Sequence, residues 1–136
     1  MAQPRFLLAA TLLATPALAA PARPHETVTP QFSQAIPNIP GKSLTAVVVS
    51  YAPSAASPAH HHAPSAFIYA YVLEGAIRSQ VNGEPARVYH AGESWYEAPG
   101  AHHRVSANAS KTKPARLLAV FVVDSEDKVL TRTDGD

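Results

Sequence analysis

No segment of this chain repeats its apolar residues with a helical period over a useful length, and that absence limits the fold more than any other feature. Short runs rich in β-branched and aromatic residues recur instead, separated by glycine, proline and asparagine turn signals. Such residues pack well on a pleated surface, and runs spaced this closely build a sandwich or a barrel. Leu44–Tyr51 reads as a largely buried strand, and Leu117–Val123, a continuous apolar run, as one buried on both faces. Phe67–Leu73 alternates, with Tyr69 and Tyr71 on one side and Ile68, Ala70 and Val72 on the other. Asn82-Gly83 is the strongest short hairpin signal and joins Ala76–Val81 to Ala86–His90. The expected class is all-β.

Within this pattern, three consecutive histidines, His60-His61-His62, run into the Phe67–Leu73 segment. Residues two apart on a strand share a face, so His60 and His62 aim their imidazoles one way and His61 the other. Neutral imidazole ligates Zn, Cu, Fe or Ni, and two on one face make half a metal site. The other half has a candidate in Gly92–Asn108, where Pro99-Gly100 punctuates two runs readable as strands. A hairpin there sets Glu97 across from His103, with both side chains on a shared face. His102 and His103 are adjacent, so a strand offers only one of them inward. The expected site is therefore His60 and His62 from one strand, with His103 and Glu97 from a later hairpin. Trp95 and Tyr96 point opposite ways, and the inward one shapes the pocket. His90, beside a turn, is expected at the surface, and Gln80 is expected to face solvent.

These residues resemble the paired motifs of the cupin superfamily, small jelly-roll barrels with a metal in the mouth or interior. The first motif reads roughly G-x5-H-x-H-x(3,4)-E-x6-G, and His60, His62 and Gly75 match it. The second reads G-x5-P-x-G-x2-H-x3-N, and Gly92, Gly100, His103 and Asn108 match it. Three positions depart. The motif glutamate falls on Ala66, Phe67 or Ile68, the proline comes one place late at Pro99, and four residues rather than three separate His103 from Asn108. Glu97, just before the usual proline position, stands where it can supply the missing carboxylate. Related cupins tend to carry glycine where this chain has Ser54. The resemblance extends to small secreted bacterial single-domain cupins. It implies one double-stranded β-helix, or jelly-roll, barrel over residues 41–125 with an extended N-terminal arm.

The ends carry separate signals. Met1–Ala19 has a basic Arg5, an apolar stretch too short to span a bilayer and an Ala17-Leu18-Ala19 cleavage pattern, which together read as a secretory leader. Export to the periplasm or beyond is the expectation, with no membrane attachment once the leader is gone. Residues 20–40 include Pro21, Pro24, Pro30, Pro37 and Pro40, which deny the stretch a helix and favour extended or turn conformations. It reads as a linker that becomes an ordered lead-in near Phe32–Ile39, an arm able to wrap its own barrel or a neighbour's. Residues 126–136 are polar and read as a loose tail. There is no cysteine, so disulfides, Cys-ligated zinc, iron–sulfur chemistry and thiol catalysis are excluded. Eleven Lys and Arg stand against ten Asp and Glu, which gives no argument for a nucleic-acid partner or an anionic membrane surface.

The expected function is that of an exported cupin-domain protein. It binds a divalent ion (Fe, Mn, Ni, Cu or Zn) through His60, His62, His103 and Glu97, and acts on a small organic molecule as a metal-dependent oxygenase or isomerase-like enzyme. The alternative is a non-catalytic module that holds a small ligand or a metal. A homodimer through an exposed sheet edge is a further expectation.

Overall fold

A computed structural model describes residues 25–135. The expected leader, residues 1–19, and the start of the proline-rich segment lie outside the described residues. Eleven strands follow one another: β1 (Glu26–Ala35), β2 (Lys42–Tyr51), β3 (Ala56–Ser57), β4 (His60–His62), β5 (Phe67–Glu74), β6 (Ala76–Val81), β7 (Arg87–His90), β8 (Ser94–Glu97), β9 (His102–Asn108), β10 (Ala115–Asp124) and β11 (Thr131–Thr133). Among the described residues no helix is long and apolar enough to cross a membrane.

The strands form two antiparallel sheets in a jelly-roll arrangement. One runs β1-β2-β10-β5-β8 and the other β11-β4-β9-β6-β7, with β3 also paired to β9. Period-two alternation decides what lies between them. Ile68, Ala70 and Val72 of β5 and Leu117, Ala119, Phe121 and Val123 of β10 are buried in a shared core, while Phe67 and Tyr69 are exposed. On β10 the opposite face, Leu118, Val120 and Val122, is only half-buried, so the run expected to be covered on both sides is fully covered on one. Asn82 takes a positive φ of 51° in the β6–β7 turn, the left-handed conformation that asparagine tolerates. Ser54 also has a positive φ, 64°, at the position where related cupins tend to have glycine.

Both end segments differ from expectation. The proline-rich segment is ordered from before the expected Phe32–Ile39 lead-in, because Glu26–Ala35 is a ten-residue strand paired with β2 of its own barrel. Pro30 is compatible with a strand because β1 closes its sheet on one side, where a missing N–H leaves no ladder bond broken. The register slips between Pro30 and Phe32, so Gln31 forms a bulge. The C-terminal segment is not a loose tail either: β11 pairs with β4, setting Thr131 opposite His62, Arg132 opposite His61 and Thr133 opposite His60. Leu130 packs against the core just before it.

Candidate metal centre

The histidine-bearing strands β4 and β9 are neighbours, with His60 opposite His103 and His61 opposite His102. Alternation then sends His60 and His103 inward, each buried, and leaves His61 exposed. His62 shares the inward side, its side chain only 9% exposed. Ring centroids lie 4.7 Å apart for His60 and His62, 5.0 Å for His60 and His103, and 6.2 Å for His62 and His103. One ring nitrogen from each of the three falls within 4.8 Å of the others.

Glu97 completes the cluster by a route different from the expected hairpin. It lies on β8, paired with β5 in one sheet, whereas His103 lies on β9 in the other. The Pro99-Gly100 turn, with Gly100 at a φ of +77°, carries the chain from sheet to sheet. The two side chains therefore meet across the barrel interior and not as cross-strand partners: Glu97 Oε1 is 3.1 Å from His103 Nδ1. Glu97 Oε2 is 3.4 Å from His62 Nε2 yet has no hydrogen-bond partner, although the residue is only 2% exposed. Trp95 is the inward member of its pair, and its indole N–H donates to Glu97 Oε1 at 3.3 Å, while Tyr96 is 67% exposed.

Backbone carbonyls and hydroxyls orient the rings. His60 Nδ1 donates to the Pro58 carbonyl at 2.7 Å and His62 Nδ1 to the Leu130 carbonyl at 3.2 Å, which leaves each Nε2 lone pair available. Ser79 Oγ lies 2.9 Å from His103 Nε2. If that nitrogen carries the proton and Ser79 accepts it, the Nδ1 lone pair faces Glu97 and the cluster. Ser79 and the Leu130 carbonyl are site residues that sequence reasoning missed. Ser79 shares its strand face with Ile77 and Val81, opposite Arg78 and Gln80, which was a visible signal for the first, and nothing local pointed to the second. Gln80 is half-buried and bonds the Glu84 carbonyl, and His90 is exposed.

Burial sets the charge of the group. It pushes the His103 imidazole down to about 3 and His62 to about 4, with His60 nearby adding to both. Burial also pushes the Glu97 carboxyl up to about 7, partly offset by the Trp95 hydrogen bond. Without a cation the cluster is thus biased toward neutrality, with lone pairs converging and one carboxylate oxygen unpartnered. Neutral imidazoles and a buried orphan oxygen are what a divalent ion requires, so the residues present fit one.

The cluster borders a cavity of about 230 Å3 walled by Val47, Val49, Ile68, Leu117 and Phe121. Also lining it is a hydroxyl group network in which Tyr51 Oη is 2.7 Å from Ser57 Oγ and 2.8 Å from Ser106 Oγ, and Ser57 bonds Glu26. Burial raises the Tyr51 phenol to about 12, so it stays a neutral donor. Asn108 is structural. Its amide donates to the Ala52 and Lys113 carbonyls, and its oxygen accepts from the Ser110 N–H.

Comparison with known proteins agrees with this geometry. The model of the cupin domain family matches residues 47–121, more than half of the chain. The chain belongs to the cupin family. No curated protein matches this cupin by sequence. Among solved structures it is similar to an oxalate oxidase in complex with glycolate, at 24% identity and a TM-score of 0.57, covering 72% of this chain and 51% of the other. It is also similar to a protein from Thermus thermophilus, at 22% identity and a TM-score of 0.59, covering 73% and 84%. A third likeness is to the DMSP lyase DddQ of Ruegeria pomeroyi, at 21% identity and a TM-score of 0.54, covering 66% and 42%. This cupin thus spans about half of the oxalate oxidase. At these identities the likeness establishes the jelly roll.

The cupin motif departures have physical counterparts. The extra residue between His103 and Asn108 is absorbed as a bulge. Gln80 faces Val105 and Val81 faces His103, so Arg104 is left unpaired. That bulge lets His103, Ser106 and Asn108 all point inward. The place of the absent motif glutamate is filled by buried Ala66 and Ile68, and Glu97 sits directly opposite Ile68 in the β5–β8 pairing.

Proposed function

We propose that this cupin is an exported metal-dependent enzyme of the oxygenase or isomerase-like kind, acting on a small organic molecule. His60, His62 and His103 hold a divalent first-row ion, with Glu97 as its fourth partner. The observation that carries the reading is the Glu97 Oε2 atom, buried beside three imidazoles with no hydrogen bond of its own. Such an orphan costs free energy unless a proton or cation meets it. Three nitrogens and one oxygen suit Fe, Mn, Ni, Cu or Zn, and affinity order alone does not choose among them. A bound ion there would supply Lewis acidity toward a substrate oxygen.

The chain's own groups have defined work to do beside it. Glu97 has a second use where the ion leaves it unliganded: its Oε2 then acts as a general base toward the substrate. Trp95 holds Oε1 in place. The aliphatic wall excludes water from the body of the substrate, and the Tyr51 and Ser57 hydroxyls bond a polar group on it. A non-catalytic ligand-binding barrel is the second reading, favoured because Glu97 is the one carboxylate in contact with the inner histidines among the described residues, while Glu26, the other acid on the cavity wall, is bonded to Ser57.

Elemental analysis of protein isolated from its native compartment and desalted against dilute chelator tests the centre. Wild type is expected to keep about one tightly held ion per chain. His60→Ala and His103→Ala should each lower that content about ten-fold or more. His61→Ala should leave the tight ion in place, and equal losses from all three would reduce the cluster to unspecific histidine binding. Small carboxylic acids and phenols are then offered to the loaded protein. Turnover supports the enzyme, and binding without turnover supports the module.

A further inference from the structure

The same strand pairing that builds the inner cluster builds a second one on the other side. His61 and His102 are register partners on β4 and β9, as His60 and His103 are, but their side chains project outward. Their rings lie parallel, 4.1 Å between centroids and 5° between planes. The Asp134 carboxylate reaches both, with Oδ1 3.2 Å from His61 Nδ1 and Oδ2 2.7 Å from His102 Nε2. One ligand atom from each of the three lies within 4.8 Å of the others.

We propose that His61, His102 and Asp134 form a second metal site on the outer face of the barrel, suited to a borderline divalent cation such as Zn2+, Ni2+ or Cu2+. Two imidazoles and one carboxylate are a donor set those ions accept, with remaining positions open to water. The carboxylate is delivered by ordered backbone: β11 pairs with β4, and the Asp134 N–H donates to the Ala59 carbonyl at 2.9 Å. Metal–nitrogen bonds of about 2.0–2.1 Å require the two rings to fan out of their parallel stack. The side chains have room for that, being 52%, 28% and 41% exposed for His61, His102 and Asp134. In the metal-free state Asp134 accepts the imidazole protons, and an ion takes the place of those protons.

The site has a consequence for the interior. Thr131 and Thr133 of β11 line the inner cavity, so an ion on Asp134 clips the strand that forms part of that wall. The two sites lie on opposite faces of one strand pair and are filled independently of which ion the inner one prefers.

The full chain, freed of its leader, is equilibrated with Zn2+ and its bound zinc is counted as free zinc is raised. Wild type is expected to bind about two ions per chain, the second more weakly and removable by dilute chelator. Asp134→Asn, nearly isosteric, and His102→Ala should each weaken the removable ion ten-fold or more and leave the other unchanged, and His90→Ala should change neither. Unaltered zinc binding in both Asp134→Asn and His102→Ala overturns the proposal. If the inner centre is not a metal site, wild type binds one ion that is lost with Asp134→Asn and kept with His60→Ala, which separates the two failures.

Discussion

Three titratable side chains in the interior, His62, His103 and Glu97, are all pushed toward their neutral forms, and they act on stability in opposite senses. For each imidazole the folded value, about 4 or about 3, lies below its ordinary 6.5. The unfolded chain therefore takes up protons that the folded chain refuses as pH falls below 6.5, and stability is lost over that range. For Glu97 the folded value, about 7, lies above its ordinary 4.5, so stability is lost as pH rises between those limits. Where the windows overlap, two imidazoles outweigh one carboxyl. The metal-free protein is expected to gain stability as pH rises from about 5 to about 6.5. Denaturant midpoints across that interval measure it, and a flat or falling profile would contradict the assignment of neutral imidazoles. Glu97→Gln removes the opposing group and should steepen the rise.

At the scale of elements, the strands with strong alternation were legible because each residue's side follows from its parity. His60 and His62 inward with His61 outward, Ile68 against Tyr69, and Trp95 against Tyr96 are local consequences of the pleat. What parity does not contain is which sheet a strand joins. Glu97 and His103 flank a turn, and the chain looks like a hairpin there, yet the turn is a corner between sheets. The place of β1 was hidden by Pro30 and the prolines on either side of the strand, and an outermost strand tolerates the one it contains; β11 was hidden by its length of three residues. The bulge at Arg104 was present in the sequence as one surplus residue before Asn108. The glycine of the β5–β6 junction is a further element-scale constraint. Gly75 has a φ of +71°, and a Cβ there would stand 2.5 Å from the Pro114 carbonyl oxygen. A methyl group meets both a disfavoured conformation and rigid backbone, so Gly75→Ala should cost about 1–3 kcal/mol or more. Chemical denaturation at unchanged m-value measures that loss. Wild-type stability in the variant would mean that the junction can relax away from β10.

For the whole molecule, the site is assembled from both ends of the described chain as well as its middle. Glu26 near the start and Thr131 and Thr133 near the end line the same cavity as the central histidines. The C-terminal strand does two things at once. Leu130 adds an apolar side chain to the core, and its carbonyl accepts from His62 Nδ1 and from the Ala63 N–H at 3.0 Å. The first affects stability and the second affects the orientation of one ring of the inner histidine cluster. Loss of a group that orients a ligand typically weakens metal affinity about 10–100-fold. A chain ending at Val129 should therefore retain the β-sheet circular dichroism of the barrel, whose two sheets persist without β11. It should unfold at lower denaturant, because β4 loses a partner strand and the core loses Leu130. Its inner ion should be held roughly 10–100-fold more weakly, read by chelator competition on protein that remains folded. Leu130→Ala separates the two effects: it keeps the backbone carbonyl, so it should lower stability and leave that affinity near wild type. Equal affinity in the shortened chain and in wild type would show that His62 keeps its orientation without the C-terminal strand, and would leave β11 as packing alone.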